Sequence, residues 1–147
     1  MVKVYFDLCV YNRPFDDQTQ PRVMIESLAV VAIMALVDRG RISAINSFAL
    51  DHENRQNPTV DRRSFIADLL AESSEFIHRS DSITERALEL ERSGIMGMDS
   101  LHVACAEAAK ADYFVSCDDV LIKRLRRVED LKVNAVDLLE FVSKEVP

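Results

Sequence analysis

Three carboxylates in this chain stand where apolar runs end. Asp7 follows Val2-Lys3-Val4-Tyr5-Phe6, Asp118 follows Tyr113-Phe114-Val115-Ser116-Cys117, and Asp99 opens the stretch Asp99-Ser100-Leu101-His102-Val103-Ala104-Cys105-Ala106. In an α/β protein, strands that end in carboxylates aim at the crevice beyond the carboxyl edge of the sheet, where ligands bind. Acids gathered there repel one another unless something positive sits between them, and a hard divalent cation with oxygen ligands meets that need. Each acid also has a plainer explanation. Asp7 can cap a helical turn that follows it, and Asp99 is a favoured residue at a helix start, where the dipole stabilises its anion. The repetition of the same arrangement at Asp7 and Asp118 is what favours a site over two unrelated caps.

Neighbouring polar residues sort by geometry. Ser116 lies two residues before Asp118 and projects to the same side of an extended chain. Asp119 is read as a solvent-facing helix-start residue. A fourth acid is sought in Asp51-His52-Glu53-Asn54, on a short helix after the second strand. Asp51 and Glu53 are two apart and face different ways, so spacing alone does not separate them. His102, three residues after Asp99, shares its helical face and either reaches the site or packs against the sheet. It is not counted as a metal ligand.

The elements that must position these groups are legible as alternation. Strands are expected at residues 2–6, 41–47, 75–78, 113–116 and near Val133, with helices at 21–39, 47–55, 60–73, 82–93, 99–110, 120–127 and 136–144. Residues 12–17 are expected to break regular structure around Pro14, and Ser82-Ile83-Thr84-Glu85 resembles a capping box. Strands alternating with helices predict a three-layer α/β/α domain with a central parallel sheet of four to five strands.

Composition sets limits on function. At 147 residues, 48% hydrophobic and 29% charged, the chain is the size of one globular domain, residues 1–147. The apolar run from Leu28 to Val37 is too short to cross a bilayer and is read as a buried helix, part of which can serve a dimer interface. Cys9, Cys105 and Cys117 show no metal-finger or disulfide spacing, which fits a reducing cytoplasm. A net charge of −7 is awkward for a nucleic-acid binder. Bound cations would offset part of it, and Lys123-Arg124-Leu125-Arg126-Arg127 and Arg62-Arg63 are basic clusters, each more simply read as solvated helix surface.

On these residues the chain resembles the PIN-domain family of metal-dependent ribonucleases, which includes many bacterial toxin nucleases of the VapC type. The resemblance runs through Val4-Tyr5-Phe6-Asp7-Leu8-Cys9-Val10-Tyr11-Asn12-Arg13-Pro14-Phe15-Asp16, then Gly94-Ile95 to Asp99-Ser100-Leu101-His102-Val103-Ala104, then Phe114-Val115-Ser116-Cys117-Asp118. Each piece is weakly specific alone; three in order at domain-scale spacing carry the likeness. It implies catalytic, metal-holding acids at Asp7, Glu53, Asp99 and Asp118, with Asp51 as the competitor of Glu53. Ser116 (where the family often has Thr) and Asn12 would be polar helpers, and Arg13, Lys123 and Arg124 would contact substrate, although Arg13 can equally pair with Asp16. It further implies Mg²⁺ or Mn²⁺, RNA phosphodiester hydrolysis, an antitoxin partner, a homodimer, a cytoplasmic location and no membrane. The alternative is a PIN-like module that binds RNA or a protein without cutting. A phosphoacceptor receiver domain and an Asp-x-Asp phosphatase are disfavoured, because Asp7-Leu8-Cys9 lacks the second acid both require.

Overall fold

The computed structural model describes residues 1–147. Its centre is β1 (Val2–Phe6), short, β-branched and aromatic, and hydrogen-bonded on both edges. β2 (Ile42–Ser47) and β4 (Tyr113–Ser116) flank it, with β3 (Glu75–Ile77) and β5 (Asn134–Asp137) at the edges. The five strands are all parallel in the order β3-β2-β1-β4-β5. Asp7 N–H extends the central ladder by one bond to the Val115 carbonyl at 2.9 Å. The register therefore places the last residues of β1 and β4 side by side.

Successive side chains of β1 point to opposite faces of the sheet and meet different layers. Tyr5 turns toward the layer of α6 (Gly97–Ala108), where it meets His102 and stacks with Phe114. Phe6 turns the other way, edge-on to Tyr11 and to Phe141 of α8 (Leu138–Glu145). α2 (Pro21–Asp38) packs beside α8 on that second face. α3 (Phe48–Arg55) and α5 (Asp81–Arg92) pack against α6, and α4 (Val60–Ala71) packs against α3 and β2. The expected three-layer arrangement holds, with five strands.

The element bounds differ from expectation in instructive places. Residues 8–15 are helical: α1 (Leu8–Asn12) passes into a 3-10 turn at Arg13–Phe15, because Asp7 caps the first and Pro14 is tolerated early in the second. Ser80, not Ser82, caps α5, its Oγ accepting from Ile83 N–H. α6 begins two residues before Asp99, at Gly97, whose φ of +58° suits glycine. β5 starts after Val133, so α8 begins at Leu138 rather than 136, and α7 occupies Asp119–Leu125. α2 starts with Pro21 as expected, but Met24, Ile25, Leu28 and Val31 are exposed, which contradicts a wholly buried helix. No helix is long and apolar enough to cross a membrane.

Candidate metal centre

In a parallel sheet with helical crossovers, the helices run antiparallel to the strands, and their first turns cluster at the carboxyl edge. α1, α3, α6 and α7 all start there. Asp7, Glu53, Asp99 and Asp118 line one open cleft of about 420 Å³, together with Leu8, Cys9, Asn12, Gln56, Asn57, Pro58 and Arg62. A cavity of about 440 Å³ at the opposite edge, lined by Val2, Leu36, Arg41 and Ile42 among others, holds a single acid, Glu145, beside two cations, Arg41 and Lys144.

Asp7 is buried and the most rigidly held of the four. Its Oδ1 accepts from Leu8 N–H at 2.8 Å, and its Oδ2 accepts from Ser116 Oγ at 2.8 Å and from the Cys9 thiol at 3.4 Å. Capping and site-building are thus one role here, not alternatives. Ser116 is fully buried and also accepts from Asp118 N–H at 3.1 Å, so a single hydroxyl ties the ends of β1 and β4. Asp118 spends Oδ1 on the N–H groups of Val120 and Leu121, capping α7, and lies exposed at the rim. Asn12 Oδ1 accepts from Asn57 Nδ2 at 3.2 Å, fastening α1 to the loop that follows α3.

Asp99, at the third position of α6, has no hydrogen bond to its carboxylate, and electrostatics acts on it directly. Burial, then Asp7, with Asp118 and Glu53 behind it, pushes its pKa up to about 6, while His102 opposes. Burial is the larger cause, and the carboxylate neighbours add to it, as they do where negative charge lacks a counter-ion.

α3 separates its two candidate acids as its geometry requires. Asp51 turns back to Asn46, whose Nδ2 donates to it at 3.1 Å, whereas Glu53 faces the cleft. Asp7, Glu53 and His102 can each present one ligand atom such that all three lie within 4.8 Å of one another. The donor set, with Asp99 and Asp118 beside it, is dominated by carboxylate oxygen and fits a hard divalent ion.

The cations fall elsewhere than expected. Arg13 is engaged by Asp16 at 3.2 Å and by buried Glu26 at 3.4 Å and does not line the cleft. Lys123 and Arg124, on α7, border two other hollows: Arg124 with Arg127, Gly94 and Met96, and Lys123 with Arg22 and Asp119. The cation that does line the cleft is Arg62 of α4, donating to the Phe15 carbonyl at 2.6 Å and near Asp16 at 3.4 Å. Its only sequence signal was the Arg62-Arg63 pair. Asp119 faces outward to Arg22 at 2.6 Å.

No family model matches the chain, and no curated protein matches it. Solved structures do. A chain of VapBC2 from Rickettsia felis, in a crystal structure bound to a DNA fragment from its promoter, aligns over 93% of this chain and 98% of that one, with a TM-score of 0.53 and 18% identity. PAE2754 from Pyrobaculum aerophilum aligns over 97% of this chain and 96% of its own, with a TM-score of 0.54 and 12% identity. The likeness is one of fold: a three-layer α/β/α, PIN-like fold over nearly the whole length of each chain.

Proposed function

We propose that this chain is a single-domain, metal-dependent endoribonuclease of the PIN type, acting in the cytoplasm as the toxin of a toxin–antitoxin pair. The observation that carries the reading is the convergence of Asp7, Glu53, Asp99 and Asp118 on one cleft at the carboxyl edge of the sheet. The structural likeness to a VapBC2 chain supports the antitoxin half of it.

In this reading Asp7 and Asp99 hold the principal Mg²⁺ or Mn²⁺, and Glu53 and Asp118 complete the shell or orient the attacking water. When bound, the ion lowers the pKa of a coordinated water and offsets charge on the phosphorane-like transition state. The protein's own contribution is positioning. Ser116 and the Leu8 N–H lock the Asp7 carboxylate, the α7 N–H groups lock Asp118, and Asp99 keeps an unpaired carboxylate. Arg62 presents a guanidinium to the cleft that suits a phosphate oxygen. Lys123 and Arg124 take flanking phosphates outside it, and Arg13 supports Arg62 by holding Asp16. The exposed apolar side chains of α2 supply the homodimer contact.

The experiment is cleavage of RNA by Asp7→Asn and Asp99→Asn proteins with and without Mg²⁺ or Mn²⁺. Both substitutions should abolish metal-dependent cleavage and leave the circular-dichroism spectrum unchanged. Retained cleavage in both would overturn the assignment. Calorimetry that finds no binding of either ion at millimolar concentration would favour the non-cutting module instead.

A further inference from the structure

Beneath the cleft lies a buried chain of hydrogen bonds that the metal ligands do not account for. Tyr5 Oη and Ser47 Oγ are 2.7 Å apart, Tyr5 Oη and His102 Nδ1 are 2.7 Å apart, and His102 Nε2 and Glu53 Oε1 are 3.0 Å apart. Tyr5, Ser47 and His102 are fully buried. The four residues come from β1, the end of β2, α6 and α3, so the chain crosses three packed elements before it reaches the cleft.

Its direction follows from what each atom can do. Ser47 Oγ already accepts from Leu50 N–H at 3.1 Å, as the cap of α3. A neutral imidazole has one N–H and one lone pair, and a carboxylate only accepts. If Ser47 donates to Tyr5, Tyr5 donates to His102 Nδ1 and His102 Nε2–H donates to Glu53, every hydrogen and acceptor is used. In the reverse order Nε2 turns its lone pair toward Glu53 Oε1, which is repulsive at 3.0 Å unless an ion lies between them. The Ser47 hydroxyl then has the Cys105 sulfur, a weak acceptor, as its remaining partner. Only the reverse order frees Nε2 to bind metal.

We propose that His102 is a positioning residue, not a metal ligand. The relay Ser47→Tyr5→His102 holds it in the Nε2–H tautomer and spends that proton on Glu53 Oε1, leaving the other Glu53 oxygen for the ion. The proximity of Asp7, Glu53 and His102 is then an ion site made of oxygen with an imidazole behind it. Hard Mg²⁺ favours that arrangement, since it takes oxygen ligands. The inference rests on the metal-site reading above, but its first test needs no metal.

Two-bond ¹H–¹⁵N correlations on labelled, metal-free protein resolve the tautomer of each of its three histidines. His102 should show the Nε2–H pattern in the wild type, and an Nδ1–H pattern would overturn the relay. With Mn²⁺ added, pulsed electron paramagnetic resonance should detect no directly bound ¹⁴N; a strong imidazole coupling would overturn the positioning role. Tyr5→Phe and His102→Ala should each weaken Mn²⁺ binding about 10- to 100-fold, the usual effect of losing a group that orients a ligand. His102→Gln, which keeps an amide N–H near the Nε2 position, should recover most of the loss. Wild-type affinity in His102→Ala refutes the proposal even if Tyr5→Phe fails to fold. A wild type that binds no Mn²⁺ refutes both this inference and the nuclease reading, whereas bound ¹⁴N refutes this inference alone.

Discussion

Replacing Asp99 by Asn should make the metal-free protein more stable at neutral pH. The Asp99 carboxyl titrates at about 6 against an ordinary value of 3.8, because it is partly buried and faces Asp7. A tenfold change in acidity corresponds to about 1.4 kcal/mol, so ionising Asp99 in the fold costs at most about 3 kcal/mol above pH 6. Solvent reaches part of the group, and screening reduces that figure. An acid in the first turn of α6 also gains about 0.3–1 kcal/mol from the helix dipole, which Asn forfeits. The net expectation is a gain of about 1–2 kcal/mol, or roughly 2–8 °C in Tm for a chain of this size. A carboxyl raised in the folded state costs nothing below its unfolded pKa and its full penalty above its folded one. Urea titrations in EDTA should therefore show the Asn variant ahead at pH 7.5 and level with wild type near pH 4. Saturating Mn²⁺ should reverse the ranking at pH 7.5, since only the wild type then gains binding energy. An Asn variant that is equal or less stable in EDTA at pH 7.5 would refute the idea of unneutralised charge in the cleft.

Other perturbations separate site from scaffold. Arg62→Ala should lower kcat/KM on RNA by about 1.5–3 kcal/mol, the worth of a charge-assisted hydrogen bond, mostly through KM; unchanged kinetics would remove Arg62 from the substrate path. Arg86 binds nearly buried Glu107 at 2.6 Å and also Glu89 and Asp130, far from the acids. Arg86→Ala should cost about 3–5 kcal/mol in thermal or denaturant unfolding by stranding Glu107, while activity per folded molecule stays constant. Leu28→Asp, on the exposed face of α2, should leave only monomers in sedimentation velocity, with the circular-dichroism spectrum unchanged and a Tm that no longer depends on protein concentration; a dimer that persists would move the interface elsewhere.

What could be read from residues alone was what periodicity and punctuation encode. The β1 and β4 runs, each broken by an acid, were legible because a buried parallel strand is continuously apolar and its end is abrupt. α1 and the turn after it were missed because Pro14 and a run of turn-prone residues mask helices of five and three residues. The cap of α5 was misplaced by two because Ser80 and Ser82 both fit the pattern, and only backbone geometry chooses. Glu53 and Asp51 became separable only once α3 was docked, with Asn46 taking one of them. Arg62 showed only as half of a basic pair, with nothing to say that it faces the acids, and the contact between His102 and Glu53, 49 residues apart, leaves no local trace.

The Ser116–Asp7 bond joins residues 109 apart in sequence, and the ladder between β1 and β4 spans the same gap. Contacts of such separation are slow to form, since loop closure must precede any reward. During synthesis Asp7, Glu53 and Asp99 are all made before β4 exists to lock Asp7 or Asp118 exists to close the cleft. A nascent chain arrested before residue 116 therefore holds three of the four acids and no assembled centre. The acid-lined cleft is therefore a late product of chain synthesis, complete only once β4 and Asp118 have been made.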